Sequence, residues 1–197
     1  MDENDRQEAF ERLLTAILGR VVDFLKFAEA KNAALLTFAS AWIIASINLL
    51  NGSTPLTPAW QKAYTVALPI FAIAALLAII SLLPRTLLTR IYRDPNQAKS
   101  LLYFGDIATF EPAAYKERVR ERYYPPENEA VTRNFLDDLS IQIAANSQIT
   151  LWKMKLFNAG ALLVLLALVV LFIPAAGKLW AFASSYMGPP DVAKGPS

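Results

Sequence analysis

Three stretches of this chain contain no Asp, Glu, Lys or Arg: residues 33–50 (AALLTFASAWIIASINLL), 63–83 (AYTVALPIFAIAALLAIISLL) and 156–173 (LFNAGALLVLLALVVLFI). A helix rises about 1.5 Å per residue, so about 20 residues cross a hydrocarbon layer roughly 30 Å thick. Each stretch can span a bilayer. Burying three such helices on all sides in a soluble core is beyond a chain of 197 residues. The expected fold is therefore an all-α membrane protein: three transmembrane helices with a cytoplasmic helical bundle formed by helix extensions and a central connector.

Charge sets the orientation. Lys and Arg number five in residues 1–31, one in 51–62, eleven in 84–155 and two beyond 173. Positive residues stay in the cytoplasm, which predicts a cytoplasmic N-terminus and 84–155 segment, with the short loop and the C-terminus outside. An odd number of spans demands the same. The N-terminus begins MDENDRQEAFER, which lacks the basic start of a cleavable signal. The predicted organisation is a stalk helix over 1–31, spans at 32–50, 63–83 and 156–173, an external loop at 51–62, a cytoplasmic sensor region at 84–155 and an external tail at 174–197.

The 18% of residues that are charged mix both signs. Residues 1–31 carry seven acids and five bases, and residues 84–155 nine acids and eleven bases. Neither is the one-signed patch of a nucleic-acid-binding surface. Arg85, Arg90, Arg93, Lys153 and Lys155 read as topology signals and headgroup contacts.

Phe10, Leu14, Ile17, Val21, Phe24 and Ala28 recur at steps of four and three, so the N-terminal segment is an amphipathic helix running straight into the first span. Gly19 is its one weak point. A second stalk leads into the last span: from Glu129 to Ile173 there is no proline, and Phe135, Leu136, Leu139, Ile143, Ile149 and Trp152 repeat helically. The two stalks should pack on each other. Asp138, Gln142, Asn146, Ile149 and Lys153 form a mostly polar stripe beside the apolar one, which reads either as a solvated face or interhelical hydrogen bonds that fix register, or as the wall of a ligand pocket. Between the stalks, a short helix closes at Arg90–Pro95, and another starts at Pro112 and ends before Pro125 with Tyr115, Val119 and Tyr123 on one face. Arg118, Arg120 and Arg122 splay around that helix, so RVRER is a weak anion site.

The chain has neither cysteine nor histidine. That removes disulfides, thiolate or imidazole metal sites and every Cys or Ser–His nucleophile. No GxxxxGK[ST] or GxGxxG occurs. Asp137 and Asp138 are adjacent on a helix, about 100° apart, so they read as a solvated pair rather than a shared-proton dyad. No catalytic residue, metal or cofactor is expected. The charge-free spans also argue against an ion-coupled transporter.

The stalk entering AEAKNAALLTF (Ala28–Phe38), the central LLYFGDIATFEPAAY (Leu101–Tyr115) and DDLSIQIAANSQITLWKMKLFNAG (Asp137–Gly160) together resemble the Pycsar-type membrane effectors of bacterial antiphage defence. Lys31-Asn32, Tyr103-Phe104-Gly105-Asp106 and Asp138-Gln142-Lys153 carry the likeness. The third span departs from simpler two-span relatives, and no separate cyclic-nucleotide-binding β-roll is present. The resemblance implies an inner-membrane effector, a homo-oligomer when active, switched on by a cyclic mononucleotide (cCMP or cUMP) from a partner cyclase and damaging the bilayer through its spans. It implies no nucleic-acid partner. The residues it offers for the ligand are Arg20, Lys31 and Lys153 for charge, Tyr103 and Phe104 for stacking, and Gln142 and Asn146 for base edges. Each has a structural alternative: headgroup contact, core packing or helix register. The rival reading of the whole chain is a structural or regulatory membrane subunit that binds a partner protein through its cytoplasmic helices.

Overall fold

The computed structural model describes residues 3–83, 99–127 and 129–186. Five helices follow in order: α1 (Glu3–Leu50), α2 (Pro58–Leu82), the single turn α3 (Phe104–Ile107), α4 (Pro112–Tyr123) and α5 (Arg133–Tyr186). No strand occurs among the described residues. The juxtamembrane helix expected at Arg90–Pro95 and the headgroup roles of Arg85, Arg90 and Arg93 fall outside the described residues.

α1 is one helix of 48 residues, with Glu3 and Asp5 in its first turn where the helix dipole favours acids. Gly19 does not interrupt it, so stalk and span are continuous. α2 opens on Pro58, whose missing N–H is no loss at a first helical position, and runs through Pro69. Thr132 starts α5: its hydroxyl accepts the Phe135 N–H at 3.3 Å, the bond of an N-cap. The apolar run ends at Ile173, but the helix does not; α5 passes through Pro174 to Tyr186, 54 residues in all.

The chain divides into two compact units. The first comprises residues 1–34 and 79–157. Here α1 and α5 run parallel, because Phe10 lies near Leu136 and Asn32 is bonded to Lys153. The expected packing of the two stalks is present, with Leu14, Ala28 and Leu139 buried.

The second unit comprises residues 35–78 and 158–197. Its buried positions are mainly small: Ala39, Ala63, Ala67, Ala74, Ala75, Ala78 and Ala167, with Phe71 the one fully buried ring. Leu35, Val164 and Leu171 are also buried, but many of its large aliphatic side chains point outward, among them Ile44 at 60%, Leu162 at 67% and Ile173 at 65% exposure. This inverts a soluble core. Burying alanine while exposing leucine is favourable only where the surroundings are as apolar as the side chain, and small residues then let backbones approach for dispersion contact. Gly160 marks a close approach: a Cβ there would lie 2.7 Å from Leu35 Cδ2. Trp42 stacks on Phe71 at 5.8 Å and 7°. Ser46 satisfies its buried hydroxyl by donating to the Trp42 carbonyl at 2.6 Å. The three helices α1, α2 and α5 are each long and apolar enough to cross a membrane.

Candidate functional site

All side-chain chemistry of note lies in the first unit, and most of it is organised by α5. Asp138, Gln142, Asn146 and Lys153 are spaced by four, four and seven residues, so they share one side of the helix. Three of the four grip a different element. Asp138 holds α4: its carboxylate accepts Arg122 Nε at 2.6 Å, the second Arg122 nitrogen at 2.8 Å and the Tyr123 hydroxyl at 2.6 Å. Gln142 holds the connector, donating from Nε2 to the Leu102 carbonyl at 3.2 Å. Lys153 holds α1, with Nζ 2.8 Å from Glu29 Oε1. Asn146, half-buried, has no side-chain partner among the described residues.

The α4 grip is electrostatic and bidentate. Hydrogen bonds from Arg122 hold the Asp138 carboxyl below the usual carboxylate range, against the opposing effect of burial. Burial, then the bond to Asp138, pushes the Tyr123 phenol up, and the Asp138 bond pushes the Arg122 guanidinium up. Tyr123 also meets Phe135 edge-on at 5.5 Å. Reading Asp137-Asp138 as a solvated pair is therefore half corrected. Asp137 is exposed, 4.0 Å from Arg133, whereas Asp138 is the hub of a cross-helix clasp. The Arg122 of the RVRER run is committed to that clasp.

The connector is pinned between Ser100 and Tyr115. The Ser100 N–H donates to Asp106 Oδ2 at 2.9 Å, the Leu102 N–H to Ser100 Oγ at 3.3 Å, and the Tyr115 hydroxyl to the Leu101 carbonyl at 3.0 Å. Tyr103 lies so close over Gly105 that an added Cβ would sit 2.6 Å from its ring. Phe104, 5.0 Å from Tyr103 between ring centroids, is 70% exposed. A rigid connector thus presents one aromatic face to its surroundings, which is what stacking requires.

At the far end of the stalks, the Lys153 side chain is only 6% exposed and Glu29 48%. The reading of Lys153 as a headgroup contact is corrected: its ammonium turns inward to Glu29, because a buried charge needs a partner. Asn32 is fully buried beside it. Its Nδ2 donates to the Ala28 carbonyl at 2.9 Å and the Lys153 carbonyl at 3.2 Å. Both are acceptors only, so the nitrogen must face them and Oδ1 is left buried without a donor, at a cost of about 1–3 kcal/mol. Lys31, next to Asn32, holds its ammonium 4.6 Å from the Phe27 ring and 5.1 Å from the Phe157 ring, a cation–π contact on both sides.

The seven ligand candidates do not converge on one point. Lys31 and Lys153 belong to the stalk junction, where Lys153 is occupied. Tyr103, Phe104 and Gln142 belong to the connector, where Gln142 is occupied. Asn146 lies one turn beyond Gln142, and Arg20 is exposed on α1. A cavity of about 240 Å³ is lined by Glu3, Arg6, Gln7, Phe10 and Leu136. Glu29 was missed in the sequence, Asn32 entered only through the family likeness, and Arg122 only as part of the weak RVRER run. Asn32 carried a signal, an amide at a buried helical position at the edge of an apolar run; the other two did not. Among the described residues, no cluster of His, Cys, Asp or Glu could hold a metal.

Three apolar helices packed on alanine, joined to a clasped helical assembly, define a three-span all-α membrane protein. A family model described as the Pycsar effector protein domain matches residues 13–180. The Pycsar effector protein RsPycTM of a Rhizobium species is 39% identical over 155 residues, 79% of this chain and 88% of the relative. No solved structure matches the chain. The chain belongs to the Pycsar effector family, and its place is in antiphage defence.

Proposed function

We propose that this protein is a cyclic-nucleotide-activated effector that impairs the inner membrane by assembly of its spans, acting through binding rather than catalysis. The observation that carries the membrane half is the inverted packing of the second unit. Outward-facing Ile44, Leu162, Leu166 and Ile173 suit lipid and a second copy equally, so assembly costs little desolvation. The nucleotide half is supported by family membership and by the connector: Phe104 offers a base-stacking face, and Asn146, one turn from the clamped Gln142, offers an unused amide. Arg20 and Lys31 carry positive charge on α1, away from that aromatic face, and would meet a phosphate only in a rearranged or assembled state. A ligand acts here only by its differential affinity for the assembled state. In the orientation that the Lys and Arg counts favour, the N-terminus and residues 84–155 face the cytoplasm, where a partner cyclase would release cCMP or cUMP, and the C-terminus faces the periplasm.

The test is membrane potential in cells expressing the protein with and without an active pyrimidine cyclase. Depolarisation that requires the cyclase supports the proposal. Unchanged potential with the cyclase active overturns it in favour of a structural or regulatory subunit, for which exposed Phe10, Leu13, Phe24 and Phe27 on α1 would be the partner surface.

A further inference from the structure

The stalk junction is a lock with an incomplete bond inventory. Lys153 and Asn32, two of the most deeply buried polar side chains in the first unit, meet where α1 and α5 run side by side. The ion pair to Glu29 at 2.8 Å fixes which turn of α1 faces Lys153. Buried ion pairs and core amides of this kind act on register more than on stability. Asn32 then spends both amide hydrogens on carbonyls and strands its own oxygen. One of those carbonyls, that of Lys153, sits within α5 and already has the helical bond of its own backbone. The amide thus adds little where it donates and loses where it should accept. Beside it, the Lys153 ammonium has three hydrogens and, among the described residues, a single side-chain acceptor, Glu29.

We propose that Glu29, Asn32 and Lys153 form a metastable lock on the register of α1 against α5. The resting register is held by the Lys153–Glu29 pair, and activation moves the helices to a second register in which the Asn32 oxygen gains a donor. This rests on the effector reading above for its consequence, though the lock itself is a property of the fold. Lys153, whose own carbonyl already accepts from Asn32 at 3.2 Å, carries ammonium hydrogens beyond the one given to Glu29, so the second register trades its partner from the half-exposed Glu29 to the buried amide.

Three variants of the full chain test it. Asn32→Leu keeps the branching and the number of side-chain heavy atoms and removes the stranded oxygen, so the detergent-solubilised protein melts about 2–8 °C higher and loses cyclase-dependent depolarisation at least tenfold. Glu29→Gln weakens the resting pair and depolarises cells without any cyclase. Glu29→Lys combined with Lys153→Glu restores the pair in reverse and returns the cells to quiescence, whereas Glu29→Lys alone does not. The lock is overturned if Asn32→Leu melts at or below the wild type, or if the reversed pair behaves as Glu29→Lys alone. A wild-type protein that leaves the potential intact with an active cyclase overturns the effector reading instead. In that case the melting order of Asn32→Leu and of the reversed pair still decides whether the lock exists.

Discussion

Asp138 shows what a single side chain decides in this protein. Its carboxylate collects three hydrogen bonds from α4, and its side chain is 16% exposed. Asp138→Asn should cost about 1–3 kcal/mol, read as faster amide exchange over residues 112–123 with little change in α1. The sign of the pH effect follows from the lowered Asp138 pKa. The stability this group contributes is complete above the ordinary aspartate value of about 4 and lost as pH falls through its lower folded value. Tyr123, raised by burial, acts at the other end, its contribution being lost as pH climbs above about 10. Protection of the α4 amides, taken relative to their intrinsic exchange rate at each pH, should therefore be greatest between these limits and fall on both sides. Gly160 is decisive for a different reason. With Leu35 Cδ2 at 2.7 Å from where a Cβ would lie, Gly160→Ala should lower the melting temperature by several degrees, and Leu35→Ala in the same chain should recover part of that loss. A sum of the two single effects in the double variant would show that the contact is not the cause.

At the scale of elements, α1 and α5 dominate. Both are far longer than a span requires, about 72 and 81 Å at 1.5 Å per residue for their 48 and 54 residues. Neither has a loop at the edge of its apolar run, so each continues as helix beyond it. A methyl group added at Gly19 would meet nothing within 4 Å, which makes this glycine a pure propensity defect. Gly19→Ala should stabilise α1 by about 0.5–1 kcal/mol, seen as higher helicity on thermal melting by circular dichroism. α5 was legible from its proline-free run as far as Ile173, and its continuation through Pro174 was not. Proline weakens a helix by removing one N–H, yet helices in apolar surroundings tolerate it because an unwound backbone there costs more. The three grips along Asp138, Gln142 and Lys153 were legible only as a polar stripe. Which element each would hold depends on chain separations of 16, 40 and 124 residues, and a helical period carries no information on that.

For the whole molecule, the absence of cysteine gives a clean background for topology. Ser53→Cys should react with a membrane-impermeant maleimide in intact cells, and Ala113→Cys only after permeabilisation; the reverse pattern would invert the proposed orientation. The sequence by itself determined the class. Three charge-free runs of 18 to 21 residues admit one economical solution in water and lipid, and the 3.6-residue recurrence of Phe10 to Ala28 and of Phe135 to Trp152 requires that the stalks bury their apolar faces. Both follow from local composition and period. The tertiary structure alone decided which polar groups are spent. Lys153 at the end of a stalk looks solvated in sequence, as does Asp138, and each proves to be the anchor of another element. The physical reason is that burial of a charge is settled by what lies opposite it, and Glu29 comes opposite Lys153 only when two helices far apart in the chain are laid side by side.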